Sequence, residues 1–496
     1  MPSSVAVSII AVLCIGYVSY YLSLRKPRRF PPGPPPLPII GNLHQLSVRA
    51  PWESLSEWHE KYGPIVYFRV GPFPVVVVST MEACHELFDR RGKIYSSRPQ
   101  LSYVNQLTGG LQPLLMPYNR ELRQHRQIYR VILDPTASQK YRRQEELESC
   151  RLLYNLLSSD EPSRVIARYT PSVSSLLTYG ERIHDWRWMD LIEQQIHEGI
   201  KGMMKGGVLV DAIPVLDWLP RFLSPWKSTA HKHFKATLEA FSGSAKAALG
   251  CDTWNWIRAT REMKQAESLT WEQFCYTTGE LFEATFLTTS MTLRVFMMIC
   301  ATQTTATSKA SDELERLVGP DRLPCFDDLP RLPYLCGFTK EILRWRPVIP
   351  LGGPHAVTQD DEYNGYFIPA NATVMGNVWA IHMDRAIFGD PEVFRPERWI
   401  ENPDLPLVTF GFGRRICPGR HVARDILAIT VARLLWAFEI TTSVDPLAID
   451  TLKSTLAGIV FSPEDVQARF RIRSDRHSEA VRRAWLATQD SMSSLR

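Results

Sequence analysis

The sequence predicts a mainly helical protein with a smaller β region, preceded by one N-terminal transmembrane helix. From residue 81 to residue 298 the pattern is mainly helical, and it includes one long apolar run over Trp271–Thr302. Two shorter segments, residues 64–79 and 354–378, have the composition of strands joined by turns. Residues 3–24 carry no charged side chain. Together these three observations define the predicted fold class.

The N-terminal 24 residues are predicted to be a membrane anchor. Residues 3–24 are long enough to cross a hydrocarbon core, which takes about 20 residues. The basic stretch RKPRR (25–29) follows directly, and positive charge favours the cytosolic side. The alternative is a cleaved signal peptide, but its apolar region is usually about 7–15 residues long and follows the positive charge. We therefore predict an uncleaved, single-pass membrane anchor over residues 1–24, with residues 30–496 facing the cytosol.

Residues 25–41 are predicted to form a basic, proline-rich linker, and residues 42–496 a single catalytic domain. The stretch FPPGPPPLPIIGN (30–42) cannot form a helix, because proline lacks the amide donor, and it will be stiff. The alternative is a disordered linker, but the apolar residues Leu37, Ile39 and Ile40 favour docking onto the domain. No internal repeat divides the remaining chain.

Within the domain, the pattern predicts two hairpins and a late helix. Residues 64–79 contain two β-branched runs around a Gly-Pro turn, and YNGY (363–366) is a hairpin turn in the second β segment. Residues 425–437 are helical again. Residues 210–227 combine prolines with two tryptophans, which suits either an interhelical loop or a second contact with a membrane interface.

Composition excludes several classes of function. The net charge of +5 is modest for 496 residues, and no basic tract follows the N-terminus, so nucleic acid is not a predicted partner. The nine cysteines are scattered and contain no CxxC pair, which argues against a zinc site or a disulfide framework. A reducing compartment fits this cysteine usage.

The segment FGFGRRICPGR (410–420) carries the strongest chemical signal. Glycines allow tight turns and a close backbone approach to a flat ligand. Backbone N–H groups and the N-terminus of the following helix would stabilise a thiolate at Cys417. Arg415 is placed to meet an anion.

This segment resembles the cysteine-ligand loop of the cytochromes P-450. The resemblance extends through YSSRP (95–99), PLGGPHA (350–356) and FRPERW (394–399), and covers essentially the whole chain. It is closest to microsomal fungal enzymes of secondary metabolism. The resemblance implies the cytochrome P-450 fold and a haem b whose iron is ligated by the Cys417 thiolate, which favours O–O cleavage. The family pattern is matched at Phe410, Gly411, Gly413, Arg415, Cys417 and Gly419.

The resemblance also implies contacts with the haem propionates. Arg415 is the strongest candidate, and His355 matches a second family position. The third contact comes from a helix bearing Trp-x-x-x-Arg, where this chain has Leu122 followed by Arg126. Leucine has no N–H to donate, so one bond to a charged acceptor is lost, a term of about 1.5–3 kcal/mol. The further arginines of this helix form either a solvated face or a surface that steers an acidic reductase: Arg120, Arg123 and Arg130.

A buried ion network is predicted behind the cysteine loop. Glu341 and Arg344 are three residues apart and therefore share a helical face. Such a pair is usually solvated, but the resemblance adds Arg398 and buries all three. The implied role is structural, because removing one member leaves an unpaired buried charge.

The distal helix departs from the family pattern (Ala/Gly)-Gly-x-(Asp/Glu)-Thr-Thr. Thr288 matches the distal threonine, whereas Thr285 replaces the glycine and Leu287 replaces the acid. Thr288 and Thr285 are therefore the candidate catalytic residues. Leucine cannot relay a proton, and a positioned donor contributes typically about 10²–10⁴ in rate. Glu283 shares the face of Leu287 but lies about 6 Å away along the axis, which makes it a poor substitute without a bridging water.

Three functions follow from these residues. The first is a monooxygenase that oxidises a hydrophobic small molecule with O2 and with electrons from NADPH through an NADPH-cytochrome reductase. The second is a haem-thiolate enzyme of atypical chemistry, such as peroxide use, rearrangement or oxidative coupling. The third is a haem-binding relic or scaffold with little turnover. The intact cysteine loop and ion network favour an enzyme.

Overall fold

The computed structural model describes residues 29–183 and 210–493, except Val48, Ala212, Ala457 and Ile459, together with Gly16. The anchor predicted over residues 1–24 and most of the basic stretch 25–29 therefore lie outside the described residues. The described part is mainly helical with a smaller β region, as predicted.

The main sheet combines both predicted β segments. The hairpin β1–β2 occupies the first segment, and β6 of the second segment pairs in parallel with β2. Strand β3 then adds antiparallel to β6, giving the order β1-β2-β6-β3. Valines of β2 are buried, so the sheet packs against the helical body. The strands are β1 (Ile65–Val70), β2 (Phe73–Val78), β3 (His355–Ala356), β4 (Asp361–Tyr363), β5 (Tyr366–Ile368), β6 (Thr373–Gly376), β7 (Phe438–Thr442) and β8 (Ala468–Ile472).

Strands β4 and β5 form the predicted hairpin around YNGY. Asn364 and Gly365 both have positive φ, at 52° and 74°. A two-residue turn with this geometry matches the twist of the flanking strands, which is why an Asn-Gly pair favours it.

The linker docks onto the domain, but not through the apolar residues Leu37, Ile39 and Ile40. The Pro32 carbonyl accepts from the Tyr67 amide at 2.9 Å, and a Cβ on Gly33 would lie 1.8 Å from the Tyr67 carbonyl oxygen. Ile39 is 68% exposed. Docking is therefore as predicted, but it is made by backbone, since glycine allows close approach, and by the Phe30 ring, whose centroid lies 4.9 Å from that of Tyr67.

The helices build the core around α11 (Trp271–Thr302), which has the predicted bounds. Thr270 and Gln273 form a capping box at its N-terminus. This helix is the one described helix that is long and apolar enough to span a membrane, but 67% of its apolar window is buried inside the protein, as in a core helix. It packs against α8, α9, α13 and α17.

Three elements differ from the predicted pattern. Helix α17 (Arg420–Ala437) begins directly after Gly419, five residues before the predicted start at residue 425. The antiparallel pair β7–β8 and the C-terminal helix α18 were not predicted. The remaining helices are α1 (Pro51–Tyr62), α2 (Met81–Cys84), α3 (Gly92–Tyr95), α4 (Ser102–Thr108), α5 (Arg120–Leu133), α6 (Pro135–Gln139), α7 (Arg142–Leu156), α8 (Pro162–Tyr179), α9 (Pro225–Gly250), α10 (Trp256–Arg261), α12 (Thr304–Leu317), α13 (Pro333–Trp345), α14 (Val378–His382), α15 (Arg385–Phe388), α16 (Arg398–Glu401), α17 (Arg420–Ala437) and α18 (Asp475–Ser493).

Candidate functional site

The cysteine loop is folded tightly against the start of α17. The Cys417 amide donates to the Phe410 carbonyl at 2.8 Å, which closes the loop. Gly411 and Gly413 have φ values of 77° and 55°, a region that residues with a Cβ rarely adopt. A Cβ on Gly413 would also lie 2.1 Å from the Phe88 carbonyl oxygen. The glycines therefore serve backbone geometry and close packing, as the sequence suggested.

Cys417 is half-buried although it lies deep below the protein surface, so this residue borders an internal space. Burial raises the pKa of the Cys417 thiol, while the nearby Gly419 amide and the charges of Arg126, Arg420 and Arg424 act to lower it. The predicted thiolate-stabilising groups are thus present, but burial outweighs them. A bound cation at the sulfur would reverse that balance.

Behind the loop, Glu341 is the centre of the predicted ion network. It is fully buried and bonds the Arg344 Nε and Nη2 at 2.9 and 2.7 Å. Arg398 Nε and Trp399 Nε1 also donate to it, at 3.1 and 2.9 Å. The amide of Arg395 donates a fifth bond at 3.0 Å. The prediction of a buried Glu341–Arg344–Arg398 network is confirmed.

This network reaches the cysteine loop through a histidine. Arg344 Nη1 donates to the His382 carbonyl at 2.9 Å, and His382 Nε2 accepts from the Val408 amide at 3.1 Å. Burial lowers the pKa of His382 to about 3, which keeps the ring neutral and Nε2 free to accept. The Val408 carbonyl accepts in turn from the Gly411 amide. The ion network therefore positions the loop backbone through a continuous chain of bonds.

Three arginines surround the internal space on the loop side. Arg415 Nε donates to the Ser96 carbonyl at 2.7 Å, Arg98 Nε to the Leu114 carbonyl at 3.0 Å, and Arg126 Nη2 to the Ile416 carbonyl at 2.9 Å. Burial, followed by the neighbouring arginines, lowers the pKa of Arg415 to about 9. Burial and the charge of Arg126 lower the pKa of Arg98 to about 10.

Glu280 is the carboxyl whose charge acts on all three arginines. It bonds the Tyr129 hydroxyl at 3.1 Å and the Leu114 amide at 3.0 Å. Three arginines against one carboxyl leave an excess of two positive charges in a buried place. A buried charge of this kind requires a counter-charge. Because haem carries two propionates, these residues fit that group.

His355 and Leu122 contribute less to this anion site. His355 Nδ1 donates to the Tyr95 carbonyl at 2.6 Å, and burial lowers the pKa of His355 to about 3. In the neutral ring Nε2 is then an acceptor, so a bond to an anion requires the imidazolium. Leu122 is buried against the core and its amide is capped by Asn119, so its side chain only packs.

Between Phe274 and Thr289, five of the six accessible residues of α11 form a strip on one face, and the sixth is Thr285. Their spacing is i, i+3, i+4, i+7 and i+8, the spacing of a single helical face. Glu280 and Glu283 lie deep below the protein surface, so the strip faces internal space. Ala284 is the most open member. We call this set the distal strip: Glu280, Glu283, Ala284, Leu287 and Thr288.

The two candidate threonines differ in this setting. Thr288 Oγ1 donates to the Ala284 carbonyl at 2.8 Å, the local bond expected of a threonine inside a helix. Thr292 in turn donates to the Thr288 carbonyl at 2.8 Å. Thr285 is half-buried beside the distal strip. The Thr288 oxygen therefore keeps its lone pairs available, while its proton is held by the helix backbone.

Electrostatics connects the distal strip with the cysteine loop. The charge of Arg126 acts on the pKa of both Cys417 and Glu280, so these groups surround one region. Arg98 and Glu280 were not among the predicted site residues. Arg98 lies in YSSRP, a segment that already matched the family, and Glu280 lies one turn before Ala284 on the same face.

Comparison with known proteins is consistent with this geometry. A family model described as cytochrome P450 matches residues 31–470. The chain is 36% identical to the cytochrome P450 monooxygenase criE of Aspergillus cristatus, over 100% of this chain and 94% of that protein. It is 38% identical to the cytochrome P450 monooxygenase FrzL of a Cladobotryum species, over 95% of this chain and 93% of that protein. It is 37% identical to a fumitremorgin C synthase of Neosartorya fischeri, over 93% of this chain and 91% of that protein.

Proposed function

Because the chain belongs to the cytochrome P450 family and is a monooxygenase, we propose that it oxidises a hydrophobic small molecule of fungal secondary metabolism. Electrons would come from NADPH through a cytochrome reductase. The relatives named monooxygenases favour this function over the atypical haem-thiolate chemistry and over a relic without turnover.

The observation that carries the proposal is the deep, half-buried Cys417 beside an uncompensated pair of positive charges. In this proposal Cys417 holds the iron, and Arg98, Arg126 and Arg415 bind the propionates. The glycines Gly411, Gly413 and Gly419, with Phe410, shape the loop, and His355 lies next to the arginines. The bound haem supplies the activation of O2.

The protein side of the reaction concerns protons at the distal strip. Thr288 Oγ1 is the atom of this chain best suited to accept a proton or hold a water, since its lone pairs remain available. Leu287 cannot take part, and Thr285 supplies a second hydroxyl one turn away. We expect proton delivery to be slower than with an acid at position 287.

A carbon monoxide spectrum tests the haem assignment. The reduced protein with carbon monoxide should show the Soret band of a thiolate-ligated haem, and Cys417→Ala should abolish it. Turnover with NADPH and reductase is then compared with turnover driven by peroxide. Product formed only with peroxide would favour the atypical chemistry and contradict the monooxygenase function.

The double variant Leu287→Asp with Thr285→Gly tests the distal assignment. It restores the family residues at position 287 on the strip and at position 285 beside it, so a larger fraction of the NADPH consumed should appear as product. The matched control is Thr302→Ala, a change at the far end of the same helix. Unchanged coupling in the double variant would show that these positions do not limit proton delivery.

Two surfaces support contact with a membrane and a reductase. Trp218 is 86% and Phe222 82% exposed, in the segment 210–227 that contains both predicted tryptophans. Exposed aromatic residues of this kind favour a membrane interface. On α5, Arg120, Arg123 and Arg130 are exposed and would steer an acidic partner. We propose that residues 1–24 anchor the chain in the endoplasmic reticulum membrane with residues 42–496 in the cytosol, joined by the linker 25–41.

Vesicle flotation and salt dependence test these surfaces. Protein lacking residues 1–24 should still bind phospholipid vesicles, and Trp218→Ser with Phe222→Ser should release it. Reductase-driven turnover should fall as salt rises, and more weakly so in Arg123→Ala. Salt-independent turnover would contradict electrostatic docking.

A further inference from the structure

Glu283 is a carboxyl group deep inside the protein that has no partner in the part of the chain that the structure describes. Among the described residues it makes no hydrogen bond and no ion pair, and the charges acting on it are those of Glu280. Burial and then Glu280 raise the pKa of Glu283 to about 8. Its neighbour on the distal strip is different, because Glu280 is satisfied by Tyr129 and the Leu114 amide. A buried carboxyl left in this way lacks a hydrogen-bond donor.

A second unpartnered group lies beside it. Tyr276 is 3% exposed, and its hydroxyl has no hydrogen-bond partner among the described residues. Burial and then the charge of Glu283 raise the pKa of Tyr276, so the phenol is within electrostatic reach of this carboxyl. The two residues are seven positions apart, two turns along one face of α11. Two independent polar groups, an acid and a phenol, therefore lack partners in the same place.

Aromatic side chains surround the Tyr276 ring. The ring of Tyr276 stacks on Phe234 with centroids 6.0 Å apart and meets Phe241 edge to face at 5.5 Å. Tyr179 belongs to the same hydrophobic cluster, and burial followed by the charge of Glu283 raises the pKa of its hydroxyl. An acceptor bounded by aromatic rings suits a nitrogen donor, because rings favour both flat heterocycles and cations.

We propose that Glu283 binds an N–H group of the substrate, so that this protein is specific for apolar molecules that carry a hydrogen-bond-donating nitrogen. The proposal rests on the monooxygenase function above and adds the substrate class. The group that donates a hydrogen bond to Glu283 is the N–H of an amide, an indole or an ammonium group. The Tyr276 hydroxyl adds a second polar contact.

The helix also sets the distance between the anchored nitrogen and the oxidised atom. Glu283 and Thr288 are five residues apart on the strip, which is about 7.5 Å along the axis. The oxidised carbon should therefore lie several bonds from the nitrogen, at roughly that separation. Molecules whose nitrogen is adjacent to the oxidisable carbon would fit poorly.

The test compares two probes that differ only in the N–H group. Isothermal calorimetry measures the dissociation constants of a phenyl-substituted lactam and of its N-methyl derivative with the full haem-containing chain. The variants are Glu283→Leu, Glu283→Gln and the matched control Glu272→Gln, an exposed glutamate of the same helix. The carbon monoxide spectrum of every variant is recorded first.

The wild type should bind the N–H lactam about tenfold or more tightly than the N-methyl lactam, as for a hydrogen bond to an acidic group. Glu283→Leu should abolish the preference, Glu283→Gln should keep part of it, and Glu272→Gln should keep all of it. No preference in the wild type, including no measurable binding of either probe, would overturn the proposal. An unchanged preference in Glu283→Leu would also overturn it. If that variant does not fold, a preference in Glu283→Gln equal to that of the wild type would overturn it.

Two further results are distinguishable from these. An absent carbon monoxide band in the wild type would overturn the proposed function rather than the role of Glu283. A Glu283→Gln variant that keeps the full N–H preference but consumes NADPH without product would assign Glu283 to proton delivery and overturn substrate binding.

Discussion

Glu341→Gln should strongly destabilise the protein, although it changes a single atom. Glu341 Oε2 accepts from Arg344 Nε and Trp399 Nε1, and Oε1 accepts from three further donors. The glutamine would place its amide at the Oε2 position and leave two buried donors without an acceptor, at about 1–3 kcal/mol each. It would also leave Arg344 and Arg398, 0% and 3% exposed, without a counter-charge. The unmet donors and the unpaired charges each indicate that the free energy of unfolding falls by about 3–5 kcal/mol.

Thermal unfolding of the haem-containing protein, followed at the Soret band, measures this effect. A loss of about 4 kcal/mol should lower the midpoint by roughly 4 °C in a chain of this length, at about 2.1 cal/mol/K per residue. Glu392→Gln is the matched control, since its pair with Arg385 is 59% and 70% exposed and is worth about 1 kcal/mol or less. If both variants unfold at the same temperature, the network does not hold the cysteine loop.

Three further predictions concern the site. Gly413→Ala should prevent haem incorporation, whereas Gly411→Ala, where a Cβ meets no atom within 4 Å, should cost only about 1–2 kcal/mol of backbone strain; haem content per protein distinguishes them. Arg98→Ala should speed haem transfer to apomyoglobin by about tenfold or more, while the exposed control Arg123→Ala should leave the rate unchanged; equal rates would remove Arg98 from the anion site. The pKa of Glu283 is raised from 4.5 to about 8 in the folded protein, so its stabilising contribution is present below about pH 4.5 and is lost as the pH rises through 8. As the pH rises from about 5 to about 8.5, the free energy of unfolding of Glu283→Gln should therefore increase by about 4 kcal/mol relative to that of the wild type. Parallel curves of unfolding midpoint against pH for the two proteins would contradict this.

The cysteine loop could be predicted from the sequence because its requirements are local. Gly411 and Gly413 need positive φ, and Cys417 must follow at a fixed spacing, so the pattern is visible in a few residues. The hairpin turn at Asn364 and the capped helix α11 were predictable for the same reason.

The cationic cluster and the distal strip were not predictable in this way. Arg98 and Glu280 lie far apart in the chain, and only tertiary packing brings their charges together. No periodicity distinguishes the accessible face of α11 from its buried face, because Ala284 and Leu287 are as apolar as core residues. The partnerless state of Glu283 depends on which groups are absent around it within the described chain, and a sequence does not contain that information.

The three arginines have a consequence for how the protein accumulates in a cell. Each guanidinium donates to a backbone carbonyl of a different segment. Repulsion between the three guanidinium groups therefore acts directly on the contacts between those segments. A ligand that binds only the folded chain increases the folded fraction by mass action. Before that ligand arrives, the newly made chain is the form that proteases remove most readily. The yield of this protein should therefore follow the supply of haem precursors during expression more closely than it follows the amount of message.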